Sequence, residues 1–147
     1  MIKGSCLCGA VRFEVQKASG PFELCHCSRC RKTSGSAFMA GLYVKDEYFR
    51  FLAGKERLTK YAAPILRNPP PYEVWFCSRC GAVVPTPAHE GEWYIAAGLL
   101  DDDPGMKPDR HIFVELKAPW FEITGDTPQF DIPTLREFRS RTRPSDD

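Results

Sequence analysis

No cysteine follows Cys80, no apolar run approaches the length of a membrane span, and neither sign of charge prevails. Twenty Lys and Arg (20) against 19 Asp and Glu leave 147 residues with a net charge of +1. Each absence excludes something. A transmembrane helix needs about 20 predominantly apolar residues, and the opening MIKGSCLCGAVRF lacks the apolar core of a secretory signal. The expectation is a soluble, cytoplasmic protein with no membrane partner. So nearly neutral a chain has no global basic footprint, which argues against a nucleic-acid partner. No nucleophile elbow, phosphate-cradling glycine loop or serine–histidine–aspartate pattern is present. Helical patterns of 10–15 residues do not alternate with strand patterns, which removes the parallel βαβ architectures.

What is present begins with period-2 alternation. Val11, Phe13 and Val15 alternate with Arg12 and Glu14, the mark of a half-buried strand. FMAGLYV, YEVWF, WYIAAGLL and HIFVELKAPWFEI read as further strands, and only RKTSGSAF and TLREFRSR read as helical. Turn markers separate them: Gly54, NPPPY from Asn68, PTPAHEGE from Pro85 and DDDPG from Asp101, with RTRPSDD as a frayed end. Thirteen prolines (13) and 11 glycines suit such a chain. The expectation is one domain over residues 1–147, mainly β, of antiparallel sheets with few short helices, its metal sites at strand ends.

The seven cysteines fall as Cys6-x-Cys8, Cys25-x-Cys27-x-x-Cys30 and Cys77-x-x-Cys80. In a reducing compartment, clusters this tight are metal ligands rather than disulfides or scattered core residues. Seven divides into four and three. A structural zinc takes four ligands, whereas a catalytic zinc keeps three and one open position. Thiolates are soft donors and favour zinc over calcium or magnesium, and an iron–sulfur centre would more usually want a full set of four. Residues i and i+2 of a strand point the same way, so Cys6 can converge with Cys8 and Cys25 with Cys27, while His26 turns to the other face. Spacing alone leaves two partitions open. Cys6 and Cys8 with Cys77 and Cys80 keeps the compact trio intact and is preferred; Cys27 and Cys30 with Cys77 and Cys80 would strand Cys25.

With those residues in view, the chain resembles the glutathione-dependent formaldehyde-activating enzyme (GFA) family. The matching stretches are GSCLCGAVRFEV, CHCSRCRKTSG, WFCSRCGAVV and GLLDDDPGMKPDRHIFVELKAPWF with the later PQF, spanning residues 4 to about 130. The resemblance implies the Mss4-like, or β-tent, fold. It also implies a structural zinc on Cys6, Cys8, Cys77 and Cys80 and a second, catalytic zinc on Cys25, Cys27 and Cys30, two per chain. The activity implied is a carbon–sulfur lyase reaction, joining formaldehyde and glutathione to S-(hydroxymethyl)glutathione. The expected partners are thus a small-molecule thiol such as glutathione and an aldehyde. Three thiolates around zinc leave a formal charge of −1, a soft centre suited to a thiol. Arg29, Arg31 and Lys32 stand where they could offset that charge and attract substrate carboxylates, and Arg31 and Lys32 are taken as substrate-binding candidates. His111 reads as a structural histidine, His89 as a loop residue, and Asp101, Asp102 and Asp103 as a solvated turn. Two rival readings are a zinc-ribbon binding or carrier module without efficient turnover, and a redox pair of Cys27 and Cys30.

Overall fold

The computed structural model describes residues 1–64, 72–89 and 91–142. In chain order its strands and α-helices are β1 (Ile2–Ser5), β2 (Arg12–Val15), β3 (Phe22–Cys25), α1 (Ser28–Ser34), β4 (Met39–Lys45), β5 (Phe49–Ala53), β6 (Leu58–Ala63), β7 (Tyr72–Cys77), β8 (Thr86–Pro87), β9 (Glu92–Ala96), β10 (Arg110–Ile112), β11 (Gln129–Phe130) and α2 (Ile132–Thr142). The turn NPPPY lies outside the described residues except for Tyr72, as does most of the RTRPSDD end. The chain groups into two compact units, Met1–Pro21 with Gly41–Met106, and Phe22–Ala40 with Lys107 onward.

In the first unit the alternation in β2 works as expected on its apolar face. Val11, Phe13 and Val15 are buried and Arg12 is exposed. Glu14 departs from the pattern: it too is buried, and Arg50 of β5 pairs with its carboxylate. A buried carboxylate is tolerated when a cation meets it. β1 and β5 flank β2 antiparallel, with a bulge between Arg12 and Phe13. Gly41–Lys45 of β4 pairs antiparallel with β9, whose other edge takes β8. β6 and β7 form a two-stranded ladder from Leu58↔Cys77 to Ala63↔Tyr72. WYIAAGLL is a strand only to Ala96; a 3-10 turn, Ala97–Leu99, follows. The acidic run is a turn, as read: Asp101 accepts from the Ser5 hydroxyl (2.8 Å), Asp102 from the Lys3 amide (2.8 Å) and Asp103 from the Gly105 amide (2.8 Å).

The second unit adds two parallel pairings to a mainly antiparallel fold. β10 lies parallel to β3, with Ile112 opposite Cys25, and parallel to β11, with Ile112 opposite Phe130. Parallel neighbours need long connections, and the chain between β3 and β10 supplies one. HIFVELKAPWFEI is likewise not one strand. β10 ends at Ile112, Phe113 adopts a left-handed φ of 57°, and Val114–Leu116 form a 3-10 turn. A bulky residue at positive φ is strained, and beyond it Lys117–Ile123 belong to no strand. The first helix also shifts relative to RKTSGSAF: it starts at Ser28 and stops at Gly35, whose left-handed φ of 65° lets its N–H reach the Arg31 carbonyl (2.8 Å). The second helix matches its reading. Asp131 accepts from the Thr134 amide (2.9 Å) while Thr134 Oγ1 accepts from the Asp131 amide (3.0 Å), a reciprocal cap. Leu135 is buried, and Arg139 of the helix joins Arg110 around the buried carboxylate of Glu23.

Candidate metal centres

Two groups of thiols converge among the described residues, one in each unit. In the first, Cys6 follows β1 and Cys77 ends β7. Each opens a tight turn: Gly9 N–H donates to the Cys6 carbonyl (2.9 Å), and Gly81 N–H to the Cys77 carbonyl (2.8 Å), Gly81 taking a φ of 75° that disfavours any side chain. Those turns return Cys8 and Cys80 towards the same point. All four sulfurs lie within 4.8 Å of one another, with Cys6–Cys8 at 3.6 Å and Cys8–Cys77 at 3.9 Å. A tetrahedron of sulfurs at the Zn–S distance of about 2.3 Å has edges of about 3.8 Å, close to these two separations, so the set could hold zinc. Val11 N–H donates to Cys6 Sγ (3.3 Å), the kind of outer contact that orients a ligand. The Ala82 amide holds the Cys80 thiol down to about 6. Cys6, Val11, Cys77 and Val84 form a buried cluster against which Phe51 and Trp75 pack, so this thiol group is part of a hydrophobic core.

In the second unit, Cys25 ends β3, Cys27 caps α1 and Cys30 lies in its first turn. Cys30 N–H donates to Cys27 Sγ (3.4 Å) and Arg31 N–H to the Cys27 carbonyl (3.0 Å). The three sulfurs lie within 4.8 Å of one another, with Cys25 and Cys30 buried and Cys27 half-buried. Hydrogen bonds from Cys25 and then Cys30 pull the Cys27 thiol down to about 2, and the same contacts push Cys25 up. The donor set suits a soft cation with a fourth position left over. All seven cysteines are free thiols. The structure thus brings Cys6 and Cys8 together with Cys77 and Cys80, and does not bring Cys27 and Cys30 to that pair.

His26, between two of the thiols, belongs to a ring cluster. It is fully buried; its Nε2 lies 2.7 Å from His111 Nδ1, and the rings of Phe38 and Phe121 stand 5.4 and 6.0 Å from it, centroid to centroid. Burial, then the neighbouring positive ends of His111, Lys117 and Arg31, lowers its pKa to about 4, and burial lowers that of His111 as well. Both rings are neutral at pH 7, so the bond between them uses the acceptor nitrogen of one and the N–H of the other. The structural reading of His111 holds, but its partner was not legible, because His26 and His111 are 85 positions apart. Arg31 is half-buried, with an Nε that is buried and finds no partner; Lys32 is exposed. Sequence reasoning missed Lys117, Trp120 and Phe121, which it placed on a strand. Pro119 inside that run was the available signal.

The model of the family described as glutathione-dependent formaldehyde-activating enzyme matches residues 1–116 of the chain. The chain belongs to this family. A protein of Halomonas elongata, provisionally named a glutathione-dependent formaldehyde-activating enzyme, is 37% identical over 127 residues, covering 84% of this chain and 81% of that protein. A crystal structure of a Rhodobacter sphaeroides protein is similar with a TM-score of 0.53 at 25% identity, covering 87% of this chain and 99% of the other. The family member described here has the mainly β, Mss4-like architecture, with two α-helices among the described residues. No helix among them is long and apolar enough to cross a membrane.

Proposed function

We propose that this member of the family is a carbon–sulfur lyase-type enzyme that joins a thiol to an aldehyde, with glutathione and formaldehyde as the pair its family points to. It would act as a single cytoplasmic domain. Cys6, Cys8, Cys77 and Cys80 would hold a structural zinc, and Cys25, Cys27 and Cys30 a catalytic one. The observation that carries the reading is that the second group converges three thiols, two of them buried, rather than four. Zinc held there would supply Lewis acidity that lowers the pKa of an entering thiol while three anionic ligands keep its sulfur nucleophilic.

The protein's own residues do the rest. Hydrogen bonds from Cys25, from Cys30 and from the first turn of α1 lower the pKa of the Cys27 thiol, which favours the form that acts as a ligand. His26 ties the Cys25–Cys27 segment to β10 twice, by its N–H to the Ile112 carbonyl (3.0 Å) and by its ring to His111. The three sulfurs therefore start from a fixed geometry, which spares the cost of ordering them at each turnover. Arg31 and Lys32 offer positive charge to the carboxylates of the incoming thiol. Addition forms the carbon–sulfur bond, breaks the carbonyl π bond and leaves the thiol's proton on the former carbonyl oxygen; the reverse reaction cleaves the same bond.

The test is zinc per chain in protein purified under reducing, chelator-free conditions, combined with turnover of glutathione and formaldehyde. The expected result is about two equivalents and a measurable rate that Cys27→Ser abolishes together with one zinc. Full turnover by Cys27→Ser would sink the proposal. Two zincs without turnover on any thiol–aldehyde pair would leave a thiol-binding carrier instead.

A further inference from the structure

Beside the ring cluster the second unit carries an open concavity of about 430 Å³. Its wall includes Lys117, Trp120, Phe121, Glu122 and Gln129. Small-molecule sites of about 300–1,000 Å³ usually combine an apolar platform with a few placed polar groups. Trp120 is 72% exposed, unusual for the largest side chain, and its ring stands 6.5 Å from that of Phe121. Phe121 in turn faces His26, the residue that separates Cys25 from Cys27. A single ring therefore connects the concavity to the segment that carries the trio.

The charges point the same way. Lys117 sits on the wall with its ammonium donating to the Phe121 carbonyl (3.0 Å), and among the described residues it is in no ion pair. A lysine on the wall with no ion pair among the described residues would be satisfied by a carboxylate. The single acid on the wall, Glu122, suits an ammonium.

We propose that this concavity binds the non-reacting body of the thiol substrate, with Lys117 pairing with its carboxylate while Trp120 covers its apolar and amide surface. The proposal rests on the thiol–aldehyde reading above, and it adds a recognition site that the cysteines do not provide. Lys117 and Trp120 are then specificity-determining residues, and a simple thiol such as 2-mercaptoethanol lacks the groups they recognise.

The test uses S-methylglutathione, whose sulfur is capped and gives no thiolate, so that binding reports recognition of the substrate's body rather than of its sulfur. Calorimetric titration of the zinc-loaded protein is expected to show saturable binding that weakens about tenfold or more in Lys117→Ala, as for loss of a charge-assisted contact. Lys117→Arg should recover most of that loss, and Trp120→Ala should also weaken binding. Because Lys117 also braces the Phe121 carbonyl, the Arg variant separates charge from a local change of shape. Equal affinity in wild type, Lys117→Ala and Trp120→Ala overturns the proposal, as does no saturable binding by wild type. Cys27→Ser distinguishes the two readings: binding retained there with turnover lost supports both, and binding retained with turnover intact removes the cysteine chemistry while leaving the concavity standing.

Discussion

The two thiol groups are built from the same residue type and differ in almost everything around it. Cys6, Cys8, Cys77 and Cys80 come from two turns 69 positions apart and sit in a cluster with Val11, Val84, Phe51 and Trp75. Cys25, Cys27 and Cys30 come from one strand end and the helix that follows, with neutral histidines, aromatic rings and unpaired cations nearby. The first group joins distant chain segments and could fill every position of a tetrahedral ion. The second joins nothing that is not already adjacent and would leave a position open. On the reading proposed above, ligand number and chain separation together would distinguish a staple from a reaction centre.

That contrast breaks most visibly under substitution of Cys77. Metal binding of this kind contributes on the order of 10 kcal/mol, comparable to a whole domain's stability. Cys77→Ser, or Cys6→Ser, is therefore expected to leave the chain unfolded or insoluble. A cooperative thermal transition near that of wild type would equate the two groups and end the comparison. Cys27→Ser should do the reverse, removing turnover while circular dichroism and melting stay close to wild type, because serine still caps α1.

A smaller effect sharpens the comparison within the first unit. Gly54 has a φ of 85°, and a Cβ there would meet the Ala10 carbonyl oxygen at 2.3 Å, in the turn that carries Cys6 and Cys8. Gly54→Ala should cost at least about 1–3 kcal/mol from the strained conformation, read as a lower denaturant midpoint. It should also loosen the four-thiol zinc, seen as faster release to a chromophoric chelator, without changing release from the trio. The mildest test is acid. His26 has a folded pKa of about 4, below its ordinary 6.5, so the unfolded state binds its proton first. The neutral ring's contribution is complete above pH 6.5 and is lost as pH falls from there towards 4. Wild type should lose more stability than His26→Asn over that interval; parallel pH curves would show that the buried ring carries no such linkage.

Much of this was legible in the residues. Val11, Phe13 and Val15 gave away β2 because sheet burial is local and period-2, and the four-plus-three division followed from counting thiols against coordination number. The bend at Phe113 was hidden, since HIFVE has a strand's composition and only its backbone shows otherwise. Parallel pairing of β3 with β10, and with it the His26–His111 bond, depends on tertiary proximity that no window of sequence records. Glu14 broke its pattern for the same reason: Arg50, 36 positions away, makes its burial tolerable. The concavity was missed because Lys117 and Trp120 gain their neighbourhood only once the chain has turned.

The wide spacing of one thiol group and the compactness of the other also set an order of events during synthesis. Cys25, Cys27 and Cys30 leave the ribosome almost together and can capture an ion at once, with little loop entropy to overcome. Cys8 must wait for Cys77, 69 positions later, about 3–14 s at 5–20 residues per second. During that wait the nascent chain exposes a half-made site beside a complete one. Metal supplied early in translation would therefore load the three-thiol group before the four-thiol group has formed.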